Sequence, residues 1–123
     1  MRYISLLLFF LILTSCYQIE RKCTNFKTGT FKSSITINDI EYVSSFTRTK
    51  NLQIENFENK IDSSNVRWIN DCEVVFKTIN PKNMAERKGI HLKILTTTDS
   101  SYTFEYSYVG ETIKQKGIAF KVN

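Results

Sequence analysis

The chain has 123 residues, with 17 Lys or Arg and 12 Asp or Glu, so its formal net charge at pH 7 is +5. The charges are scattered singly or in pairs, and no basic stripe is interleaved with stacking aromatic residues. This pattern argues against a nucleic-acid-binding surface. The length suits one domain with one hydrophobic core, and the abundance of Val, Ile, Thr, Tyr and Phe favours strands.

The first predicted element is an export signal. Arg2 supplies a positive charge, and an unbroken apolar run follows at residues 6–13. A transmembrane helix needs about 20 apolar residues, whereas this shorter run is typical of a signal-peptide helix. The run ends in Leu13-Thr14-Ser15-Cys16, which resembles the lipobox of bacterial lipoproteins. The resemblance implies removal of residues 1–15 and acylation of Cys16. A plain secretory signal and an N-terminal membrane anchor are the alternatives.

The lipobox resemblance also indicates a compartment. Several acyl chains on Cys16 would hold the protein firmly on a membrane. Residues 16–28 are then a lipidated tether, and residues 29–123 the folded domain. Neither an aspartate after Cys16 nor the acidic cluster of some surface-exposed Bacteroidetes lipoproteins is present. The resemblance therefore implies an outer-membrane lipoprotein of the cell envelope that faces the periplasm.

Two cysteines remain once Cys16 is acylated, namely Cys23 and Cys72. Because the periplasm is oxidising, two remaining thiols there usually pair. We therefore expect a Cys23–Cys72 disulfide, with two buried free thiols as the alternative. A metal site would need more ligands than these cysteines and the lone His91 provide, so no metal or other cofactor is predicted.

The remaining elements are strands joined by short turns. The predicted strands are residues 29–37, 40–49, 52–57, 66–69, 72–79, 90–98, 102–108 and 112–122, and Gly117 is predicted to form a β-bulge. Residues 80–89 are predicted to form a loop with one helical turn. Without a crossover helix, successive antiparallel pairing is the simplest topology, and closure removes the exposed edges. The sequence thus predicts an all-β, eight-stranded antiparallel up-and-down barrel.

Two strand ends carry a resemblance to the lipocalin/calycin pattern. In that pattern a glycine, one residue and an aromatic residue begin the barrel, and a basic side chain from the last strand packs across the aromatic ring. Gly29-Thr30-Phe31 and Lys121 occupy these places. The resemblance implies that Phe31 and Lys121 close one end of the barrel, where lipocalins usually have Trp and Arg.

A second resemblance covers most of the mature chain. Residues 23–31, Arg48 with Gln53 and Glu55, residues 68–73 and residues 116–121 are similar to those of small uncharacterised flavobacterial lipoproteins. That group is sometimes labelled topoisomerase IV. The chain is far too short for such an enzyme and is predicted to be exported, so the resemblance implies a fold and a compartment but no activity.

One polar group stands out as a candidate ligand site. Adjacent strands can bring Arg48 near Gln53 and Glu55, and an inward-facing Arg48–Glu55 pair would suit an amphiphilic ligand with an anionic head. The aromatic residues predicted to flank the pair are Tyr42, Trp68 and Tyr106. The alternative is a surface ion pair between neighbouring strands. The alternation of this strand does not determine whether Gln53 and Glu55 or Leu52 and Ile54 face the interior.

Catalysis is poorly supported, so the chain is predicted not to be an enzyme. His91 stands alone and shares a face with Lys93, and neither a Gly-x-Ser-x-Gly motif nor a glycine-rich phosphate loop is present. The leading hypothesis is a lipid-anchored barrel that binds a small amphiphilic or hydrophobic molecule. It requires an interior cavity of roughly 300 Å³ or more. The alternative is an envelope protein–protein interaction module with a solid-packed barrel.

Overall fold

The computed structural model describes residues 20–122. The predicted signal peptide and Cys16 lie outside this range. Eight antiparallel strands form one closed barrel in which each strand pairs with the next and β8 returns to β1. The strands are β1 Gly29–Ile37, β2 Ile40–Arg48, β3 Leu52–Phe57, β4 Lys60–Asn70, β5 Glu73–Thr78, β6 Ile90–Thr97, β7 Ser101–Tyr108 and β8 Gln115–Lys121. The predicted all-β up-and-down barrel is confirmed, and it is consistent with a lipocalin-like fold.

Helical structure is slight in the described part of the chain. A 3₁₀ helix spans Cys23–Phe26, and helix α1 spans Met84–Arg87 within the loop predicted to hold one helical turn. Asn83 caps α1 by accepting a hydrogen bond of 2.9 Å from the backbone N–H of Glu86, as an N-cap asparagine commonly does. Within residues 20–122, no helix is long and apolar enough to cross a membrane.

Two of the turns follow directly from their residues. Asn38-Asp39 joins β1 to β2 and Glu58-Asn59 joins β3 to β4, and all four residues have positive φ angles of 50–65°. Two consecutive residues in this region match the right-handed twist of the paired strands. The structure therefore starts β4 at Lys60, so this strand contains the predicted residues 66–69 and is longer than the sequence indicated. Pairing with β3 extends β4 through polar residues that have low strand propensity.

One end of the barrel, here named the closed end, is covered by the 3₁₀ helix. Phe26 is buried there, and its ring centroid lies 5.2 Å from that of Tyr102. The predicted Cys23–Cys72 disulfide is confirmed and ties the helix to the β4–β5 turn. Residues 23–26 fall in the segment that the sequence assigned to the tether, yet Cys23 and Phe26 belong to the hydrophobic core.

Gly117 lies in regular β8 and not in the predicted bulge. It pairs with Ile35 of β1 and with Phe104 of β7 in continuous register. A Cβ at this position would lie 2.7 Å from Cζ of Phe104 and 2.8 Å from the backbone oxygen of Ser34. The glycine therefore provides space for the Phe104 ring beside the strand pair that closes the barrel. The irregular positions lie instead between Trp68 and Asn70 and between Ile94 and Thr96.

We expect Gly117→Ala to lower the free energy of unfolding by about 1–3 kcal/mol, the usual range for overpacking. Ring rotation alone cannot relieve the clash, because the Ser34 oxygen belongs to the backbone. Urea denaturation followed by circular dichroism measures the change. Gly110→Ala is the control, since no atom lies within 4 Å of its added Cβ and only its φ of +86° opposes the substitution. An unfolding free energy of Gly117→Ala equal to that of the parent chain would show that β1 and β8 are less closely packed than described.

Candidate functional site

The barrel interior contains a cavity of about 200 Å³. Its wall combines apolar side chains with a small number of polar ones, as small-molecule sites usually do. The lining residues are Ser33, Ile35, Phe46, Arg48, Gln53, Glu55, Phe76, Ile90, Leu92, Tyr102, Phe104 and Tyr106. This inner cavity contains four of the six residues predicted for the ligand site, namely Arg48, Gln53, Glu55 and Tyr106.

A second cavity, also of about 200 Å³, adjoins the first toward the opposite, open end of the barrel. It is lined by Ile35, Ile37, Tyr42, Ser44, Glu55, Phe57 and Tyr106. Ile35, Glu55 and Tyr106 contribute to both walls. Neither cavity alone reaches the roughly 300 Å³ of a typical ligand pocket. A ligand of that size would have to occupy both.

Arg48 lies at the end of β2 and is 2% exposed. Its guanidinium donates three hydrogen bonds, each to an uncharged acceptor. Nε donates to Oε1 of Gln53 at 2.7 Å, Nη1 to the backbone oxygen of Phe26 at 3.1 Å, and Nη2 to the hydroxyl of Tyr102 at 3.2 Å. The side chain thus connects β2 to β3, to the 3₁₀ helix and to β7.

Aromatic rings surround the same guanidinium. Its Cζ lies 5.0–5.7 Å from the ring centroids of Phe31, Phe46, Trp68 and Phe76. Ring faces attract a cation, most strongly where water is excluded. Within residues 20–122, no carboxylate lies within 4.0 Å of the Arg48 nitrogens. A buried charge is normally paired with an opposite one. Here, among the residues that the structure describes, aromatic rings and neutral acceptors alone stabilise the cation.

The candidate Arg48–Glu55 ion pair is not formed within the described residues, because the β2–β3 register separates the two side chains. Arg48 pairs with Gln53, whereas Glu55 lies opposite Phe46. The register also determines which face of β3 points into the barrel. Gln53 and Glu55 line the cavity, and Ile54 lies on the outer face, 43% exposed.

Glu55 ends a row of polar side chains that crosses the inner faces of β1, β2 and β3. The hydroxyls of Ser33 and Ser44 lie 2.7 Å apart, and the Ser44 hydroxyl donates to Oε2 of Glu55 at 3.5 Å. Burial raises the pKa of Glu55; the Ser44 hydrogen bond opposes this increase and the neighbouring Asp62 adds to it. Burial likewise raises the pKa of Tyr106. The middle of the barrel therefore disfavours added negative charge, unlike the end that holds Arg48.

We expect Glu55→Gln to stabilise the domain at neutral pH. Between the ordinary pKa of Glu55 and its raised value, the folded state binds more protons than the unfolded state, so stability falls as the pH rises. The glutamine cannot ionise. Its advantage should be full above the raised pKa and vanish below the ordinary one. Thermal denaturation of both chains across this pH range measures the difference. Glu58→Gln, in an exposed turn, is the control. A difference in melting temperature that does not change with pH would contradict the assignment.

The other aromatic residues of the predicted site occupy different places. Tyr42 lines the outer of the two cavities. Trp68 lines neither cavity but packs against the core next to Arg48. On Trp68, the buried Nε1 has no hydrogen-bond acceptor within the described residues, and Nζ of Lys27 lies 5.4 Å from the ring centroid. Trp68 thus belongs to the wall around Arg48 and makes no described contact with the cavities.

The two residues of the predicted closing pair lie side by side at the closed end. Phe31 and Lys121 are register partners, and Phe31 is fully buried. Nζ of Lys121 donates to the backbone oxygen of Asn25 at 2.9 Å and so holds the 3₁₀ helix. The cation over the Phe31 ring is Arg48, at 5.5 Å. Neither this role of Arg48 nor the contribution of Tyr102 was predicted from the sequence, although Tyr102, Phe104 and Tyr106 alternate with Thr103 and Glu105 along β7.

His91 lies on the outer face of the barrel, away from both cavities. Its Nε2 is 3.1 Å from Oε1 of Glu73, and a hydrogen bond from Asn70 to the same carboxylate lowers the pKa of Glu73. Within residues 20–122, no three His, Cys, Asp or Glu side chains are grouped as a metal site would require.

Comparison with known proteins gives no assignment. No protein-family model matches the chain, and no curated protein or solved structure matches it significantly. Chemically, the described part of the interior offers the buried Arg48 cation, hydrogen-bonding groups and apolar walls. Such an arrangement can hold a molecule that has both a charged and an apolar part.

Proposed function

We propose that this protein is a non-enzymatic, lipid-anchored component of the cell envelope whose lipocalin-like barrel binds a small amphiphilic molecule with an anionic group. One observation carries the proposal. Arg48 is buried against a partly apolar cavity, and no carboxylate within residues 20–122 pairs with it. An anionic group on the ligand would provide the missing charge.

The guanidinium retains hydrogen-bonding capacity for such a group. Arginine has five N–H donors, and three hydrogen bonds from Arg48 are present within the described chain. The ligand's anionic group would lie at the Arg48 end of the inner cavity. Its apolar part would contact Phe46, Leu92 and Phe104, which line that cavity. Glu55 and Tyr106, shared by both cavities, would contact the part nearer the open end.

The proposed compartment has support from the sequence and from the disulfide. The segment that ends in Cys16 has a positive charge, an apolar run and small residues in the order that a lipoprotein signal shows. The Cys23–Cys72 disulfide suits an oxidising space such as the periplasm. We infer that acylated Cys16 anchors the protein in the outer membrane with the barrel facing the periplasm. The alternative of an envelope interaction module assumed a solid-packed barrel, whereas the interior holds two adjoining cavities of about 200 Å³ each.

The proposal can be tested with three probes that share one chain length: octanoate, octanol and octylamine. Trp68 is the sole tryptophan and its ring centroid lies 5.7 Å from Cζ of Arg48, so its fluorescence should report occupancy of the site. The full chain is titrated in nanodiscs, with empty nanodiscs as reference. We expect octanoate to bind most tightly, because it alone carries an anionic head.

Two variants make this titration specific. Arg48→Gln should remove the preference for octanoate. Lys27→Gln should retain it, because Lys27 also contacts Trp68 but lines neither cavity. Equal affinity for the three probes, or a preference for octylamine, would contradict an anion-binding interior. The absence of any saturable response would remove support for ligand binding altogether.

A further inference from the structure

Two loops at the open end form one continuous surface, which we name the basic lip. They are the β5–β6 loop, residues 79–89, and the β7–β8 loop, residues 109–114. Nζ of Lys88 lies 2.8 Å from Oε1 of Glu111, and the backbone N–H of Val109 donates to the oxygen of Gly89 at 3.1 Å. An ion pair and a backbone hydrogen bond thus hold the two loops side by side.

The basic lip exposes large apolar side chains. Ile113 and Met84 are 74% and 71% exposed, the two highest values among large apolar residues in the described part of the chain. Val109 is also exposed beside them. Single exposed apolar residues are common on protein surfaces. Here, however, the two most exposed ones lie on neighbouring loops that are held together at the same end of the barrel.

Exposed cations lie on the same loop as Met84. Lys82 and Arg87 are exposed on the first loop, and neither forms an ion pair within residues 20–122. Glu111 is engaged by Lys88, and Glu86 accepts a hydrogen bond of 2.6 Å from the backbone N–H of Lys82. The β1–β2 and β3–β4 turns, at the same end, carry Asp39 and Glu58, and Glu41 and Lys60 flank these turns on β2 and β4. Acidic residues therefore outnumber basic ones on that side of the open end, whereas basic residues outnumber acidic ones on the basic lip.

We propose that the basic lip docks the open end of the barrel on an anionic phospholipid bilayer. Met84 and Ile113 enter the boundary between headgroups and acyl chains, while Lys82 and Arg87 remain among the anionic headgroups. Surface-seeking segments combine apolar and basic side chains in this way, and each cation near an anionic membrane adds to its affinity. The occupant is a lipid surface because cations flank the protruding apolar chains. This inference does not depend on ligand binding by the cavity.

The test places an environment-sensitive fluorophore at single positions of the full chain. Met84→Cys and Ile113→Cys carry an NBD label on the basic lip, and Ile69→Cys carries it near the closed end as the control. Ile69 suits this purpose because it is 56% exposed and lies on β4 next to the β4–β5 turn. Mass spectrometry verifies that one label is attached to each chain. The protein, held in neutral phosphatidylcholine nanodiscs, is mixed with phosphatidylcholine vesicles that contain or lack phosphatidylglycerol.

We expect NBD emission at positions 84 and 113 to increase and shift to the blue only with phosphatidylglycerol vesicles, with no change at position 69. Added salt should weaken the response. Lys82→Gln combined with Arg87→Gln should lower the apparent affinity roughly 30-fold. An equal response at position 69, an equal response to neutral vesicles, or no response to either vesicle would overturn the proposal.

Discussion

Arg48→Ala is expected to lower the free energy of unfolding by about 3–5 kcal/mol, because it breaks a buried hydrogen-bond network and leaves a cavity. The substitution leaves three acceptors without their donor, namely Gln53 Oε1, Phe26 O and Tyr102 OH. It also opens a cavity among the rings around the guanidinium. For a domain of about 100 residues, this corresponds to a melting temperature lower by roughly 15 °C or more.

A second variant separates the stability of the barrel from its function. Arg48→Met keeps much of the side-chain volume and removes the buried charge together with its desolvation penalty. We therefore expect it to be less destabilised than Arg48→Ala, while octanoate binding is lost in both. Lys121→Ala is the control, since Lys121 donates one hydrogen bond, to the Asn25 oxygen. If the unfolding free energy of Arg48→Ala lies within about 1 kcal/mol of that of the parent chain, the network around Arg48 contributes far less to stability than its contacts indicate.

Replacing both cysteines of the disulfide, as in Cys23→Ala with Cys72→Ala, should lower the free energy of unfolding by about 4 kcal/mol. The two residues are 49 apart in sequence, and the chain-entropy relation for a loop of that length gives about this value. A reducing agent should have a similar effect on the parent chain and none on the double variant. Differential scanning calorimetry of both proteins, each with and without reductant, measures the stability under all four conditions.

Loss of the disulfide should destabilise the 3₁₀ helix more than the rest of the barrel. The 3₁₀ helix would depend on its remaining contacts, which include Phe26 with Tyr102 and the hydrogen bonds to Arg48 and Lys121. Hydrogen exchange of the double variant should therefore accelerate at residues 23–28 more than in β6 and β7. Uniform acceleration across the barrel would show instead that the disulfide stabilises the whole domain equally.

Much of the fold could be predicted because local patterns agree with the final pairing. Regular alternation places Phe31 and Ser33 on the inner face of β1, and Leu92 and Ile94 on that of β6. Closure of the barrel follows from the need to satisfy edge strands. The disulfide could be predicted from the number of cysteines and the expected compartment, without knowledge of the geometry.

The details of the site depend on register, which alternation alone does not determine. Either face of β3 could point into the barrel on the basis of its residues. The observed pairing of Arg48 with Gln53 places Glu55 two residues farther along β3, opposite Phe46. The close approach of Phe104 to Gly117 likewise arises from packing between distant strands. The 3₁₀ helix lacks any periodic pattern, so its place in the core could not be deduced from residues 23–26.

Native mass spectrometry of the full chain, extracted from the envelope of its own cells, tests most directly whether the barrel holds a ligand. We predict a reproducible small-molecule adduct that carries an anionic group and an apolar part, and we predict that Arg48→Gln is recovered without it. Recovery of the parent chain free of any small molecule, together with a co-purifying protein, would contradict the ligand-binding account and favour an interaction module.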